Sequence, residues 1–372
     1  MRGALDGDTI RVRMTSRRRG GGGRGGEVVA VLERSTTRFV GRYFEQDGRG
    51  QVLVDRRLFA NGIEVGDPGV HGASPGDQVV LEMLQFPEWD RVGEGVVVEV
   101  LGQRDRPGVD LQTVIHEFGL PGEFPAEVLD EARAAAEGFD DAELGDRQDF
   151  TSMTVITIDP SDARDFDDAL SLDVLPGGGW RLGVHIADVS HFIPPRGALD
   201  REAKLRGTSV YLPGTVIPML PELLSNGLAS LQQDRLRYVL SALIEYTDDG
   251  VVRDVRFARA AIRVTRRFSY EEVTELLSDR DGLVGKVALP VGELLVELHR
   301  LSRILRRRRF AGGALELQLP EVRIELDREG RVEAVRETVH DESHQLIEEF
   351  MLAANTSVAR ELTRRGLIYL RR

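Results

Sequence analysis

Short apolar runs separated by glycine turns fill the first hundred residues. "GDTIRVRM" begins at Gly7 and alternates apolar with polar side chains, the period of a half-buried strand. "GDQVVLEML" returns to that motif from Gly76, and "GEVVAVL" from Gly26 returns as "GVVVEVL" from Gly95. Both recurrences are 69 residues apart, so one strand–loop–strand unit occurs twice. The second occurrence is preceded by two further strand-like runs, "TRFVGRYFEQ" and "GQVLVDRRLF". Roughly five short strands with Gly turns predict a small barrel of the OB type. The first occurrence has no such preamble. The expectation is the remnant of a first barrel over 1–35 and a complete one over 36–103.

The pattern then changes. Residues 104–150 read as a linker with one helix, "PAEVLDEARAAAEGF", apolar at helical spacing and stopped by Gly. From Met153, β runs such as "TVITID", "RLGVHIADV" and "YVLSALIEYT" alternate with helical ones. The helical runs include "YEEVTELLS", "VGELLVELHRLSRILRRRR" and "SHQLIEEFMLAANTSVARELTRR". A larger α+β domain over 151–372 is expected. It stops at strand-like "GLIYLRR" with no closing element, so truncation at both ends, or a misplaced reading frame, is expected too.

Composition bounds the answer. The 372 residues are 41% hydrophobic, enough for two or three cores. There is no cysteine, hence no disulfide, thiolate metal site or thiol nucleophile. No apolar run is long enough for a bilayer, and the first residues lack the apolar stretch of a signal peptide. A cytoplasmic protein is expected. The net charge of −13 argues against a nucleic-acid partner, but the charge is uneven. Residues 17–26 ("RRRGGGGRGG") and 303–310 ("RILRRRRF") are basic, and 140–149 ("DDAELGDRQD") is acidic. The overall sum does not exclude a basic groove.

Residues 158–173 read "IDPSDARDFDDALSLD". Most acidic runs are solvated loops. This one follows the β run "TVITI", contains Phe166 and leads into "ALSL". Packing Asp159, Asp165, Asp167 and Asp168 together costs free energy unless a cation compensates. An EF-hand loop counted from Asp159 fails, because its third, fifth and sixth positions are Ser161, Ala163 and Arg164. Zinc would favour His or Cys, which the loop lacks. All-oxygen ligation by Asp suits Mg²⁺ or Mn²⁺. Four carboxylates suffice for one ion fully and a second in part, the arrangement for in-line attack on a phosphodiester.

"TIDPSDARDFDDALSL" resembles the signature of the ribonuclease II and ribonuclease R catalytic domain, the RNB domain. "HIADVSHFI", "GTSVYLPGTVIPMLPELLSNGLASL", "DRLRYVLSALIEY" and "HQLIEEFMLAAN" resemble the same family in the same order. The two barrel motifs resemble the paired cold-shock domains that precede it in ribonuclease R. The resemblance implies a hydrolytic 3′→5′ exoribonuclease, processive on single-stranded RNA, releasing nucleoside 5′-monophosphates with Mg²⁺, which Mn²⁺ could replace. It implies a monomer that takes the RNA 3′ end. The fold is then an α+β RNB domain, incomplete at its C-terminus, behind OB-type cold-shock barrels. The resemblance makes Asp159, Asp165, Asp167 and Asp168 both catalytic and metal-binding. Asp159 and Asp168 are assigned as principal ligands of the first ion. Asp165 and Asp167 are assigned to a second ion or the attacking water.

The resemblance also implies that Tyr211, in "TSVYLPG", stacks on the 3′-terminal base; the alternative is a half-buried strand tyrosine. Leu317 takes the place of the family's aromatic partner and can pack on a base but not stack. Glu348 is expected to approach RNA, although Glu348 and Glu349 both fit a solvated helix face. His185 and His191 flank Asp188 in "HIADVSH", as a metal site or, in preference, a strand and turn with local hydrogen bonds. Phe39, Tyr43, Phe44, Phe59 and Phe86 are candidate stacking residues of the barrel, though alternation sends some of them to its core. "RILRRRR" either lines an RNA path or complements a helix C-terminus. A second function class is an RNA-binding fragment without turnover, since the C-terminal half of the catalytic domain would be absent. A metal-dependent phosphatase or deoxyribonuclease is the third.

Overall fold

The computed structural model describes residues 3–15, 25–55, 58–88, 91–140, 143–278, 287–316, 322–337 and 340–371. It divides into two compact units. The first holds residues 1–122, 211–217 and 324–334, and the second holds the rest. The division after Gly122 falls inside the stretch read as a linker.

In the first unit, β1 (Thr9–Thr15) and β2 (Gly25–Glu33) form a two-stranded antiparallel sheet. Five strands then close a barrel: β3 (Arg38–Gln46), β4 (Arg49–Val54), β5 (Ile63–Glu64), β6 (Asp77–Gln85) and β7 (Glu94–Gln103). Their inward side chains, among them Phe39, Tyr43, Val52, Ile63, Val79, Leu81 and Val97, make one core. Alternation therefore takes Phe39 and Tyr43 out of the set of candidate stacking residues. Phe59 and Phe86 pack edge-on against Phe39. Helix α1 (Val109–Glu117) lies against β3 and β7.

The internal repeat is visible atom by atom. Gly7 and Gly76 both adopt positive φ, 81° and 99°, which glycine reaches without a Cβ penalty. The Asp that follows each one folds back on the turn. Leu5 N–H donates to Asp8 Oδ2 at 2.8 Å, and Ser74 N–H donates to Asp77 Oδ2 at 2.8 Å. The Gly-Asp pair specifies the same strand entry twice.

The second unit begins with α2 (Ala126–Glu137) and is built on a seven-stranded sheet. Its strands are β8 (Gln148–Asp149), β9 (Ile156–Asp159), β10 (Asp168–Val174) and β11 (Trp180–Ala187), followed by α3 (Ala198–Arg206). A ribbon of β12 (Val210–Leu212) and β13 (Thr215–Ile217) intervenes in the sequence, and its residues 211–217 belong to the first unit. The sheet resumes with β14 (Leu236–Tyr246), β15 (Val252–Arg263) and β16 (Arg266–Ser269). Helices α4 (Tyr270–Ser278) and α5 (Leu289–Ala311) follow, then a second ribbon, β17 (Val322–Leu326) with β18 (Val332–Glu337), whose residues 324–334 belong to the first unit, and α6 (Glu342–Arg364). The sheet order is β16-β9-β10-β11-β14-β15-β8, antiparallel through its centre and parallel at both margins.

Both faces of the sheet are covered, so its strands read as near-continuous apolar runs. Leu170, Leu182, Val184, Ala242 and Ile244 face α4, α5 and α6. Ala169, Ala187, Val239, Ala260 and Ile262 face the layer of α2 and α3. The spacing of Leu294, Leu295, Leu298 and Leu301 gives α5 one buried stripe. Asp341 caps α6 by accepting from Ser343 and His344 N–H. No helix among the described residues is long and apolar enough to cross a membrane.

Candidate active site

Asp159 ends β9 and Asp168 opens β10, so the acids sit where two neighbouring strands of the sheet are joined. The antiparallel pairing of Leu170 with Ile156 brings those two strand ends together. Residues 160–167 connect them and carry Asp165 and Asp167. The loop is stitched to the sheet. Phe166 N–H donates to Ser230 Oγ at 3.1 Å, and Ser230 Oγ donates to the Arg164 carbonyl at 2.8 Å. Leu231 N–H reaches the Phe166 carbonyl, and Ala187 N–H reaches that of Asp167.

On the other flank, β16 runs parallel to β9 in register, placing Ser269 opposite Asp159 and Arg267 opposite Thr157. The Arg267 Nη2 donates to the carbonyls of Pro160, Ser161 and Ala163 at 3.3, 3.1 and 3.4 Å. Its guanidinium lies 4.4 Å over the Phe166 ring.

Asp159 is only 8% exposed, and its Oδ2 has no hydrogen-bond partner among the described residues. Burial, then the charge of Asp168, pushes its carboxyl up to about 7, with Arg267 opposing in part. Burial, then the charge of Asp167, pushes Asp168 up to about 6. Burial and then Asp165 raise Asp167. Asp159 is buried, Asp165 and Asp168 are half-buried and Asp167 is exposed, and the charges of the row disfavour one another.

Tyr270, the first residue of α4, stands close enough to feel it. Burial, then the charges of Asp168, Asp159 and Asp341, pushes its phenol up to about 12. Its ring stacks on His344 at 4.0 Å and 11°, and His344 Nδ1 lies 2.8 Å from Asp341 Oδ1. Arg267, Ser230 and Tyr270 were not singled out from the sequence. The helical run "YEEVTELLS" contains Tyr270, but only the parallel pairing of β16 with β9 connects it to the acids.

The other candidates are distributed differently. Tyr211 lies on β12 in the first unit and is 68% exposed. Glu349, not Glu348, is the buried glutamate of α6: it is 3% exposed and held by Arg309 and Arg306. Glu348 is exposed, 3.4 Å from Arg309. Arg308 and Arg309 fall in the last turn of α5, where their charge complements the helix end. Leu317 lies outside the described residues, as does most of the basic glycine-rich stretch 17–26. His185 is fully buried, with Ser171 Oγ 2.9 Å from Nε2 and Ser241 Oγ 2.8 Å from Nδ1. Burial pushes the imidazole down to about 4. Both its nitrogens are thus engaged within the sheet. Asp188 pairs with Arg147 and accepts from Ser190, which gives "HIADVSH" the strand-and-turn character.

The family model for the RNB domain matches residues 147–372, which contain every one of these acids. The chain belongs to the RNB-domain family. A cold shock domain model matches residues 52–125, most of the closed barrel and α1. Ribonuclease R of Thermotoga maritima is 40% identical over 350 residues, covering 93% of this chain and 49% of that protein. Ribonuclease R of Acidithiobacillus ferrooxidans is 38% identical over 318 residues, covering 85% of this chain and 72% of that protein. The apo form of Mycoplasma genitalium RNase R superposes with a TM-score of 0.87 at 27% identity, over 98% of this chain and 57% of that one. That protein has also been solved in complex with ribose methylated single-stranded RNA. The RNB-family chain here spans about half the length of its Thermotoga relative.

The acids of the RNB domain fit a divalent cation in their chemistry. Every candidate donor is a carboxylate oxygen, and the buried Asp159 Oδ2 lacks a partner. Among the described residues no three His, Asp or Glu side chains converge into a ready-made cage. Mg²⁺ takes one or two carboxylates directly and keeps several waters, which suits buried Asp159 and half-buried Asp168 with further acids around them.

Proposed function

We propose that the RNB domain of this chain cleaves the terminal phosphodiester of single-stranded RNA from the 3′ end, by Mg²⁺-dependent hydrolysis, releasing nucleoside 5′-monophosphates. One observation carries the reading. Buried Asp159 and half-buried Asp168 disfavour each other's charge, with carboxyls pushed up to about 7 and 6 and an unpartnered Asp159 Oδ2. Uncompensated, that arrangement costs the fold several kcal/mol; a divalent cation would offset the cost and leave positive charge for a phosphate.

A bound cation would supply positive charge against the charge that develops on the phosphate. The chain supplies the rest. Asp159 and Asp168 hold the cation. Asp165 and Asp167 orient the attacking water and take its proton. Tyr211 offers an exposed ring on which any base could stack, which suits degradation without regard to sequence. The family resemblance adds processive action by a monomer in the cytoplasm.

The polarity of attack tests this reading. Single-stranded RNA labelled at its 5′ end should shorten stepwise with Mg²⁺, while RNA labelled at its 3′ end should release label at once as a mononucleotide. Asp167→Asn should abolish both. Binding without shortening would leave an RNA-binding protein without turnover. Internal cuts would refute the exonuclease reading.

A further inference from the structure

We propose that Arg267 is the positioning residue of the acid site: its guanidinium straps the loop 160–163 so that the acids hold their places before a cation arrives. The inference rests on the reading of the acids as a divalent-cation site and deepens it.

Four carboxylates on one short connection and its two flanking strand ends repel one another. Left to itself, such a loop relaxes outward, toward water. Two devices oppose that here. Ser230, fully buried, ties Arg164 and Phe166 from one side. Arg267 gathers the carbonyls of Pro160, Ser161 and Ala163 from the other. The guanidinium also lies over the ring of Phe166, the residue between Asp165 and Asp167. Arg267 is itself anchored. Its N–H donates to Gln233 Oε1 at 3.0 Å, and its strand is in register with β9 up to Asp159. The base of the strap and the first acid are therefore fixed to each other by the sheet.

Arg267 could act on the site in two ways, and they differ in sign. Its side-chain hydrogen bonds go to carbonyl oxygens, not to carboxylates. As a charge alone, it repels an incoming cation, and removing it would tighten cation binding. As a strap, its removal frees the loop and weakens binding. A planar fork can hold several carbonyls at once, whereas an ammonium cannot reproduce that geometry. Lysine at this position keeps the charge and loses the strap.

The test is calorimetric titration of Mn²⁺ into the full chain, for the parent, Arg267→Lys and Arg267→Met, with melting curves recorded in a chelator. The strap predicts weaker Mn²⁺ binding for Arg267→Met, by roughly 10–100-fold, as for loss of other outer-shell supports. Arg267→Lys should also bind more weakly than the parent, and raised Mg²⁺ should restore its turnover. Unchanged or tighter binding by Arg267→Met overturns the proposal. If Arg267→Met does not fold, Arg267→Lys decides: parental affinity overturns the strap and weaker affinity supports it. A parent that binds no Mn²⁺ sinks the cation-site reading and the strap with it. A parent that binds as tightly as its variants sinks the strap alone.

Discussion

Burial and, behind it, the charge of Asp168 push the carboxyl of Asp159 up to about 7. The folded value lies above the ordinary 3.8, so folding favours the protonated acid. The associated stability is fully present below about pH 4 and is lost as the pH rises through 6 to 7. The metal-free chain should therefore become less stable across that window. Asp159→Asn should stabilise it at pH 8 by roughly 1–3 kcal/mol, read as a higher melting temperature in chelator. Protons and cation compete for the same oxygens, so Mn²⁺ affinity should rise from pH 5 to pH 8. A flat profile would contradict the raised carboxyl of Asp159.

Arg147 and Asp188 form an ion pair in which both side chains are almost fully buried, with the Arg147 guanidinium 4.2 Å over the Tyr238 ring. Removing one partner leaves the other charge buried and alone. Asp188→Asn should cost about 3–5 kcal/mol, measured by chemical denaturation. A change below 1 kcal/mol would show that the pair is solvated in solution.

Gly76 enters β6 at a φ of 99°, where a side chain is strained whatever the space. Gly76→Ala should destabilise the barrel by about 1–3 kcal/mol. Domain-resolved hydrogen exchange should place the loss in residues 38–103, with β9 to β16 unaffected.

The repeat and its barrel were legible because a Gly-Asp turn is local: Gly7 and Gly76 need positive φ, and the following Asp closes the turn within three residues. The acid cluster was legible because its residues are contiguous and chemically unusual beside apolar strands. Arg267, Ser230 and Tyr270 were not legible. They lie tens of residues downstream, and only the sheet order brings them to the loop. Which of Glu348 and Glu349 turns inward was not legible for a related reason. Helical spacing makes them neighbours, and the arginines of α5 decide which one turns inward.

Tyr211 projects an exposed ring from a short ribbon. Tyr211→Ala should weaken binding of single-stranded RNA by roughly 1–3 kcal/mol, equally for oligo-A and oligo-U, in a fluorescence anisotropy titration. A loss confined to one base would argue for hydrogen-bonded readout instead of stacking.

The most direct measurement is chromatographic detection of nucleoside 5′-monophosphates released from a 3′-extended single-stranded RNA by the purified chain with Mg²⁺, beside Asp168→Asn. The account predicts mononucleotides from the parent, none after chelation, and a loss of at least ~100-fold in the variant. Equal release by the parent and Asp168→Asn would contradict it, because Asp168 would then have no part in the chemistry.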